Sequence, residues 1–314
     1  MYIIVMSVTI KFVNFWESSQ NVQNLFFKPL LERATGTTVE IENDRLKSVD
    51  IQITSVFPKN AAYKRLLNRL DFGLKKANWE IPKPNSKISL WYTGENKRPP
   101  FSPEWDFLMS YEVDDLGGQN AYLPLWVLNL DWFGLEKAHG FTSSYNKVWE
   151  LTKKRDINQA EFKKRKFCAV FMNNPVPWRI RAINELSKIA KVDIFGTHSG
   201  VTVLDKYKVA KEYKFVLAFE NDLYPGYVSE KPLEAYQAGA VPLYWGIDKA
   251  GFMNPKAIIN LNDFNCLEDF ILQVSIVNSD SDMWTRMVSE PLFTKEYDLD
   301  YLVERLKKVI KEKI

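Results

Sequence analysis

The stretch FVLAFENDLYPGYVSEKPLEAYQAGAVPLYWG, residues 215–246, constrains the fold more than any other part of this 314-residue chain. It opens on five apolar residues, the length and type of a buried strand, although periodicity alone also allows a helical segment. A compact helical segment follows, Gly239 stands where a helix C-cap belongs, and residues 241–245 read as the next strand. Glu220, Asn221, Tyr227, Glu230 and Lys231 then fall between a strand end and a helix start. In open α/β sheets that is where ligands bind.

Residue types suggest which ligand. Ser229 is a candidate N-cap, Pro232 suits a first helical turn because its missing N–H has no partner there, and the free amides of that turn favour an anion. Lys231 adds a full positive charge, and Glu230 is better suited to accept hydroxyl hydrogen bonds from a sugar or ribose than to face an anion. A nucleotide-sugar offers both partners. The alternative from the residues alone is a plain helix cap with a solvated Glu-Lys pair.

The remainder of the chain repeats the pattern. Residues 8–15, 51–57 and 88–92 read as strands, and 26–34 and 61–74 carry helix-spaced apolar residues. In the second half 167–172, 192–195 and 257–259 read as strands and 179–190 as a helix. Two doubly wound α/β domains facing a cleft are predicted, one over 1–155 and one over 156–295, with a basic amphipathic helix over 296–314. That helix carries Leu302, Leu306, Val309 and Ile310 on one stripe; covering a core is its ordinary use, and peripheral membrane contact through its lysines is the minority alternative.

Composition excludes little but directs much. With 46% hydrophobic and 26% charged residues the chain reads as a soluble globular protein, and a net charge of +3 makes polyanion binding a matter of local patches. The basic runs 153–155 and 163–166 lack interleaved aromatics, so a solvated linker is expected there and no nucleic acid partner. The apolar start is interrupted by Lys11, short of the about 20 residues that span a bilayer, and no leader pattern precedes it. Cys168 and Cys266 are expected as buried thiols. A cytoplasmic, reducing setting is predicted.

Three segments carry a resemblance to a known family. Phe219-Glu220-Asn221, the run from Gly226 to Lys231, and Ala240-Val241-Pro242-Leu243-Tyr244-Trp245-Gly246 closely resemble the signature of α-1,3/4-fucosyltransferases (glycosyltransferase family 10), especially bacterial ones. Tyr92-Thr93-Gly94-Glu95-Asn96 resembles the family's acceptor-side glutamate motif, and Asn174-Pro175-Val176-Pro177-Trp178-Arg179 the segment with a donor-binding arginine. From about residue 101 to 166 and after 260 the likeness is loose, and the heptad repeats common in the family are absent.

The resemblance implies a GT-B enzyme of two Rossmann-like domains, the first holding a β-galactosyl-N-acetylglucosamine-type acceptor and the second GDP-β-L-fucose, with inversion at the anomeric carbon. It implies Glu95 as general base, Arg179 and Lys231 as pyrophosphate contacts, and Asn221, Tyr227 and Glu230 as further donor-site residues. Inverting transfer needs one base and charge stabilisation at the leaving group, and fixed Arg and Lys cations would take the place of a metal ion. No cofactor is then required, a divalent metal being at most stimulatory. Asp280-Ser281-Asp282 and Asp298-Leu299-Asp300 match the Asp-x-Asp pattern of metal-dependent glycosyltransferases but lie away from the donor motif. His139 and His198 stand too far apart in sequence to suggest a metal cluster, and the loop around His198 reads as a turn. Trp16, after the first strand, is an acceptor-stacking candidate. Two rivals stand beside this reading: a GT-B transferase using another nucleotide-sugar, and a non-enzymatic polyanion or membrane-surface binder.

Overall fold

The structure is a computed structural model that describes residues 7–16, 19–44, 46–57, 84–100, 102–135 and 148–313. The helix expected over 61–74, the residue His139 and the side chain of Trp149 lie outside the described residues.

The chain forms two compact units, Met1–Leu123 with Asp298–Ile314, and Pro124–Tyr297. In the first, β1 (Val8–Val13), β2 (Val39–Ile41), β3 (Val49–Thr54), β4 (Ser86–Tyr92), β5 (Phe107–Ser110) and β6 (Asn120–Tyr122) make a parallel sheet in the order β2-β1-β3-β4-β5-β6. Between β1 and β2 the chain forms α1 (Gln20–Val22), a π turn over Gln23–Phe27 and α2 (Lys28–Thr35). The turn and α2 bury Phe26, Phe27, Leu30, Leu31 and Ala34, so the helical spacing read over 26–34 is a core stripe.

The second unit alternates in the same way. Helix α3 (Glu161–Lys164) leads into β7 (Lys166–Phe171), α4 (Pro177–Leu186), β8 (Val192–Phe195), α5 (Lys206–Ala210), β9 (Tyr213–Phe219), α6 (Lys231–Gln237), β10 (Val241–Trp245) and β11 (Ile259–Asn260), followed by α7 (Leu267–Ser279) and α8 (Ser281–Ser289). Its strands are parallel in the order β11-β10-β9-β7-β8. Both faces are covered, as a parallel sheet requires. Cys168 and Val170 point to the face packed by Ile183 of α4 and Phe270 of α7, while Ala169 and Val216 face Ala235 of α6 and the following Ala238. Those small residues let α6 lie close to the strands.

Both sheets are doubly wound, and each has a switch point: between β1 and β3 in the first, between β7 and β9 in the second. Connections leave in opposite directions at a switch point, opening a crevice beyond the strands' carboxyl ends.

Several sequence-based expectations shift. The division after Leu123 precedes the boundary expected at 155, because the 3-10 helix Leu125–Asn129 sends Trp126 into an aromatic cluster of the second unit, 4.4 Å from Phe293 and 5.4 Å from Phe252 between ring centroids. The basic runs are not a solvated linker throughout. Arg155 stacks 3.5 Å over the Tyr236 ring and donates to the Tyr236 carbonyl (2.6 Å), and Arg165 donates to the Gly239 carbonyl (2.9 Å). Two guanidinium groups thus hold the carboxyl end of α6, where carbonyls lack helical partners. Gly239 closes that end at φ 71°, left-handed as expected of a C-cap glycine. Cys168 is buried but Cys266 is exposed, at the N-cap of α7.

The C-terminal helix α9 (Leu299–Lys311) belongs to the first unit and packs on α2. Leu299, Leu302, Val303, Leu306 and Ile310 are buried there, Arg33 pairs with Asp300 at 2.5 Å, and Arg305 donates to the Gly118 carbonyl at 2.6 Å. The apolar stripe of this helix therefore covers a core, the ordinary use expected of it. Among the described residues no helix is long and apolar enough to cross a membrane. Leu306, with no exposed surface, gives a direct check: Leu306→Ala should lower the first unit's stability by about 2–5 kcal/mol in chemical denaturation.

Candidate active site

The carboxyl end of the second sheet is organised by an anion. Glu220 directly follows β9 and has no exposed surface. Its Oε1 accepts from the Ser229 N–H (2.8 Å) and the Tyr244 hydroxyl (3.3 Å); its Oε2 accepts from the Ser229 hydroxyl (2.7 Å) and Lys231 Nζ (3.2 Å). A buried carboxylate is tolerable only when so furnished. Gly246 makes room for one of these donors, since a Cβ there would stand 2.1 Å from the Tyr244 hydroxyl oxygen.

Ser229 is therefore not the N-cap. Its hydroxyl donates to Glu220 and accepts from Lys231 Nζ at 2.9 Å and, at 3.4 Å, from the Lys231 N–H, and the cap position falls to Glu230, whose side chain makes no capping bond. The hydroxyl's proton goes to the carboxylate, an ionic acceptor that makes the strong bond, while its lone pairs face Lys231.

Arg179 reaches across the switch point. It stands in the first turn of α4, just beyond β7, is 4% exposed, and donates to the carbonyls of Asn174 (2.9 Å), Phe219 (2.8 Å) and Glu220 (3.4 Å) and to Asn221 Oδ1 (3.2 Å). It ties the loop after β7 to the end of β9 and fixes the amide of exposed Asn221. Burial works against its charge, and Glu220 and Tyr227 support it. Tyr227 is buried in the turn between β9 and α6.

Lys231 and Glu230 open α6. Burial opposes the Lys231 charge, but the Glu220 and Glu230 carboxylates outweigh it and hold the ammonium above the usual lysine range. The Lys231 side chain keeps 25% of its surface exposed. Glu230 Oε2 is buried and has no hydrogen-bond partner among the described residues. A carboxylate oxygen in that state is an acceptor with capacity to take a hydrogen bond. Arg179, Asn221, Tyr227, Glu230 and Lys231 thus come together at one switch point, joined by Glu220, Ser229 and Tyr244.

In the first unit Trp16 and Glu95 occupy the equivalent end. Trp16, half-buried beyond β1, packs on Phe15 (5.6 Å) and on Phe57 (5.7 Å) beyond β3, at that sheet's own switch point. Glu95, half-buried, lies in a loop after β4 held by Thr93, whose hydroxyl lies 3.1 Å from the Glu95 carbonyl and 3.2 Å from that of Lys97.

Sequence reasoning missed Glu220 as the hub, although its place directly after a buried strand was a usable signal. It passed over Tyr244, hidden inside a strand. Both Asp-x-Asp matches are helix starts: Asp280 caps α8 and Asp298 caps α9. His198 sits in an exposed loop after β8.

One further acid responds to this cluster. Glu234, on α6, is pushed up to about 7 by burial, with Glu230 adding to the rise and Lys206 and Lys231 opposing it. Its folded form holds the proton more tightly than the unfolded one, so stability falls as pH rises from about 4.5 to 7 and is level above. Glu234→Gln should remove that loss, raising stability above pH 7 by on the order of 1–2 kcal/mol relative to the native chain, with the gap closing below about pH 4.5. Denaturation midpoints across that pH range check this.

Comparison with known proteins converges on this region. Residues 160–290 match the family model described as glycosyltransferase family 10 (fucosyltransferase) C-term. The chain is 28% identical over 228 residues to alpha-(1,3)-fucosyltransferase FucT of Helicobacter pylori, covering 65% of this chain and 47% of that protein. It is 34% identical over 109 residues to 4-galactosyl-N-acetylglucosaminide 3-alpha-L-fucosyltransferase 9 of Mus musculus, covering 33% of this chain and 30% of that one. It therefore spans less than half the length of these relatives. Among solved structures it is similar in fold to an alpha1,3-fucosyltransferase with GDP, at TM-score 0.68 and 19% identity, covering 99% of this chain and 92% of that one. Anabaena HepE in complex with UDP-glucose follows at TM-score 0.51 and 9% identity, covering 97% and 100%. Two parallel-sheet Rossmann-like units are the GT-B architecture. The region that gathers Arg179, Asn221, Tyr227, Glu230 and Lys231 is thus the part of the chain that is similar to the C-terminal domain of glycosyltransferase family 10, the fucosyltransferase family.

Proposed function

We propose that the chain transfers L-fucose from GDP-β-L-fucose, with inversion, to the N-acetylglucosamine of a β-galactosyl-N-acetylglucosamine-type acceptor in a surface glycan, forming an α-1,3 bond. The observation that carries this reading is the unpartnered Glu230 oxygen beside the Lys231 ammonium, at a switch point inside the segment matched to the fucosyltransferase family. A buried acceptor next to a cation suits a ligand with hydroxyls next to a phosphate. The likeness to an alpha-(1,3)-fucosyltransferase of Helicobacter pylori and to a mouse 4-galactosyl-N-acetylglucosaminide 3-alpha-L-fucosyltransferase supports the linkage and acceptor class.

In the proposed step the acceptor hydroxyl gives its proton to Glu95 as its oxygen bonds to the fucose anomeric carbon. The bond from that carbon to the β-phosphate oxygen breaks, and GDP leaves with the electron pair. Lys231 and Arg179 oppose the charge that grows on the leaving phosphate, Lys231 as an ammonium with surface still open and Arg179 as a fixed field from behind, its two terminal nitrogens already bonded to the chain. Glu230 accepts from hydroxyls of the donor, Asn221 and Tyr227 complete that side, and Trp16 offers an aromatic face to the acceptor. Two fixed cations serve the leaving group, so no cofactor is needed and a divalent metal adds at most stimulation. The reading places the protein in the cytoplasm, where GDP-fucose is its small-molecule partner.

The test is direct. The protein, GDP-fucose and type 1 and type 2 disaccharides are incubated with and without EDTA, and product linkage is read by NMR. α-1,3-Fucosylated product in both conditions is expected; turnover of UDP-glucose or GDP-mannose alone would move the chain to another donor. Glu95→Gln should cut kcat by about 10²-fold or more with GDP affinity retained, and Lys231→Ala should weaken donor binding at least about tenfold. Native-like turnover in the first would remove Glu95 from the mechanism.

A further inference from the structure

Glu220 has no exposed surface, so it cannot itself touch a ligand at the site. Its two oxygens nevertheless collect four donors from three places: the turn at Ser229, the start of α6 at Lys231, and the neighbouring strand at Tyr244. The Ser229 hydroxyl closes a triangle, donating to Glu220 and accepting from Lys231 Nζ. Gly246 leaves the space through which Tyr244 reaches the carboxylate.

We infer that Glu220 is a positioning residue of the donor site: it aims the Lys231 ammonium, keeps it charged, and holds the turn from Gly226 to Ser229 so that Glu230 presents its unpartnered oxygen beside it. The inference rests on the fucosyl-donor reading above but makes its own demand. Were Glu220 merely a core polar group, its loss would lower stability and leave the charge at Lys231 alone.

The groups facing Lys231 define the expected response. They are Glu220 at the end of β9, Arg179 from α4, and Glu230 and Glu234 at α6, with Lys206 of α5 standing 3.8 Å from Glu234. Glu220→Gln keeps the side-chain shape and removes the one carboxylate that pairs with the ammonium among the described residues. Burial and Arg179 still oppose the charge, so the lysine deprotonates at lower pH than before.

The measurement is the donor KM and kcat of the full chain as a function of pH, at saturating acceptor. In Glu220→Gln the alkaline rise of the donor KM should begin about one pH unit or more below its native position, with kcat changed much less. Glu220→Asp retains the charge and should keep the alkaline limb close to the native position even though its KM is higher throughout. A limb that stays put in Glu220→Gln, or moves equally in both variants, overturns the inference. Should Glu220→Gln not fold, Ser229→Ala decides: a donor KM raised severalfold at unchanged kcat supports the triangle, and an unchanged KM overturns it. Failure of the native chain to bind GDP-fucose in a direct titration would instead overturn the donor reading, so the two failures are separable.

Discussion

Burying a carboxylate costs several kcal/mol unless hydrogen bonds and a counter-charge replace the lost water, and Glu220 obtains both only because four separate donors converge on it. That requirement joins the turn after β9, the start of α6 and strand β10. Arg179 adds the loop after β7 by bonding carbonyls on either side of the same residue. The geometry at this strand end is therefore a consequence of solvating one buried anion and the cations around it within the protein. Changing either alters the whole arrangement.

Helix α6 is held at both ends by charge. At its start Lys231 answers Glu220; at its close Arg155 and Arg165 answer orphan carbonyls at Tyr236 and Gly239. An alanine layer lets it lie close to the sheet between these anchors. The helix is only seven residues long, too short to stand by itself in water. Its stability is tertiary, which places Glu230 and Lys231 with little freedom.

The alternation of strands and helices was legible because buried parallel strands and amphipathic helices leave distinct hydrophobic patterns. The strand at 192–195 and that at 241–245 stand where the pattern puts them. That Arg179, Asn221, Tyr227, Glu230 and Lys231 gather at one strand end was legible through the motif likeness. What misled was local charge. The runs around Arg155 and Arg165 look solvated because sequence shows no carbonyls waiting at the end of a distant helix.

The sequence by itself determined two α/β halves, a strand–turn–helix with cation and carboxylate at the helix start, and a glutamate after a strand in the other half, because hydrophobic period and residue order are local properties. Only the tertiary structure decided that Ser229 gives its hydroxyl proton to Glu220, that Tyr244 reaches out of a strand through the space left by Gly246, and that the C-terminal helix covers the first unit's core. Those outcomes depend on which buried charge lies within hydrogen-bond reach. Distance between residues far apart in the chain is not written in their order.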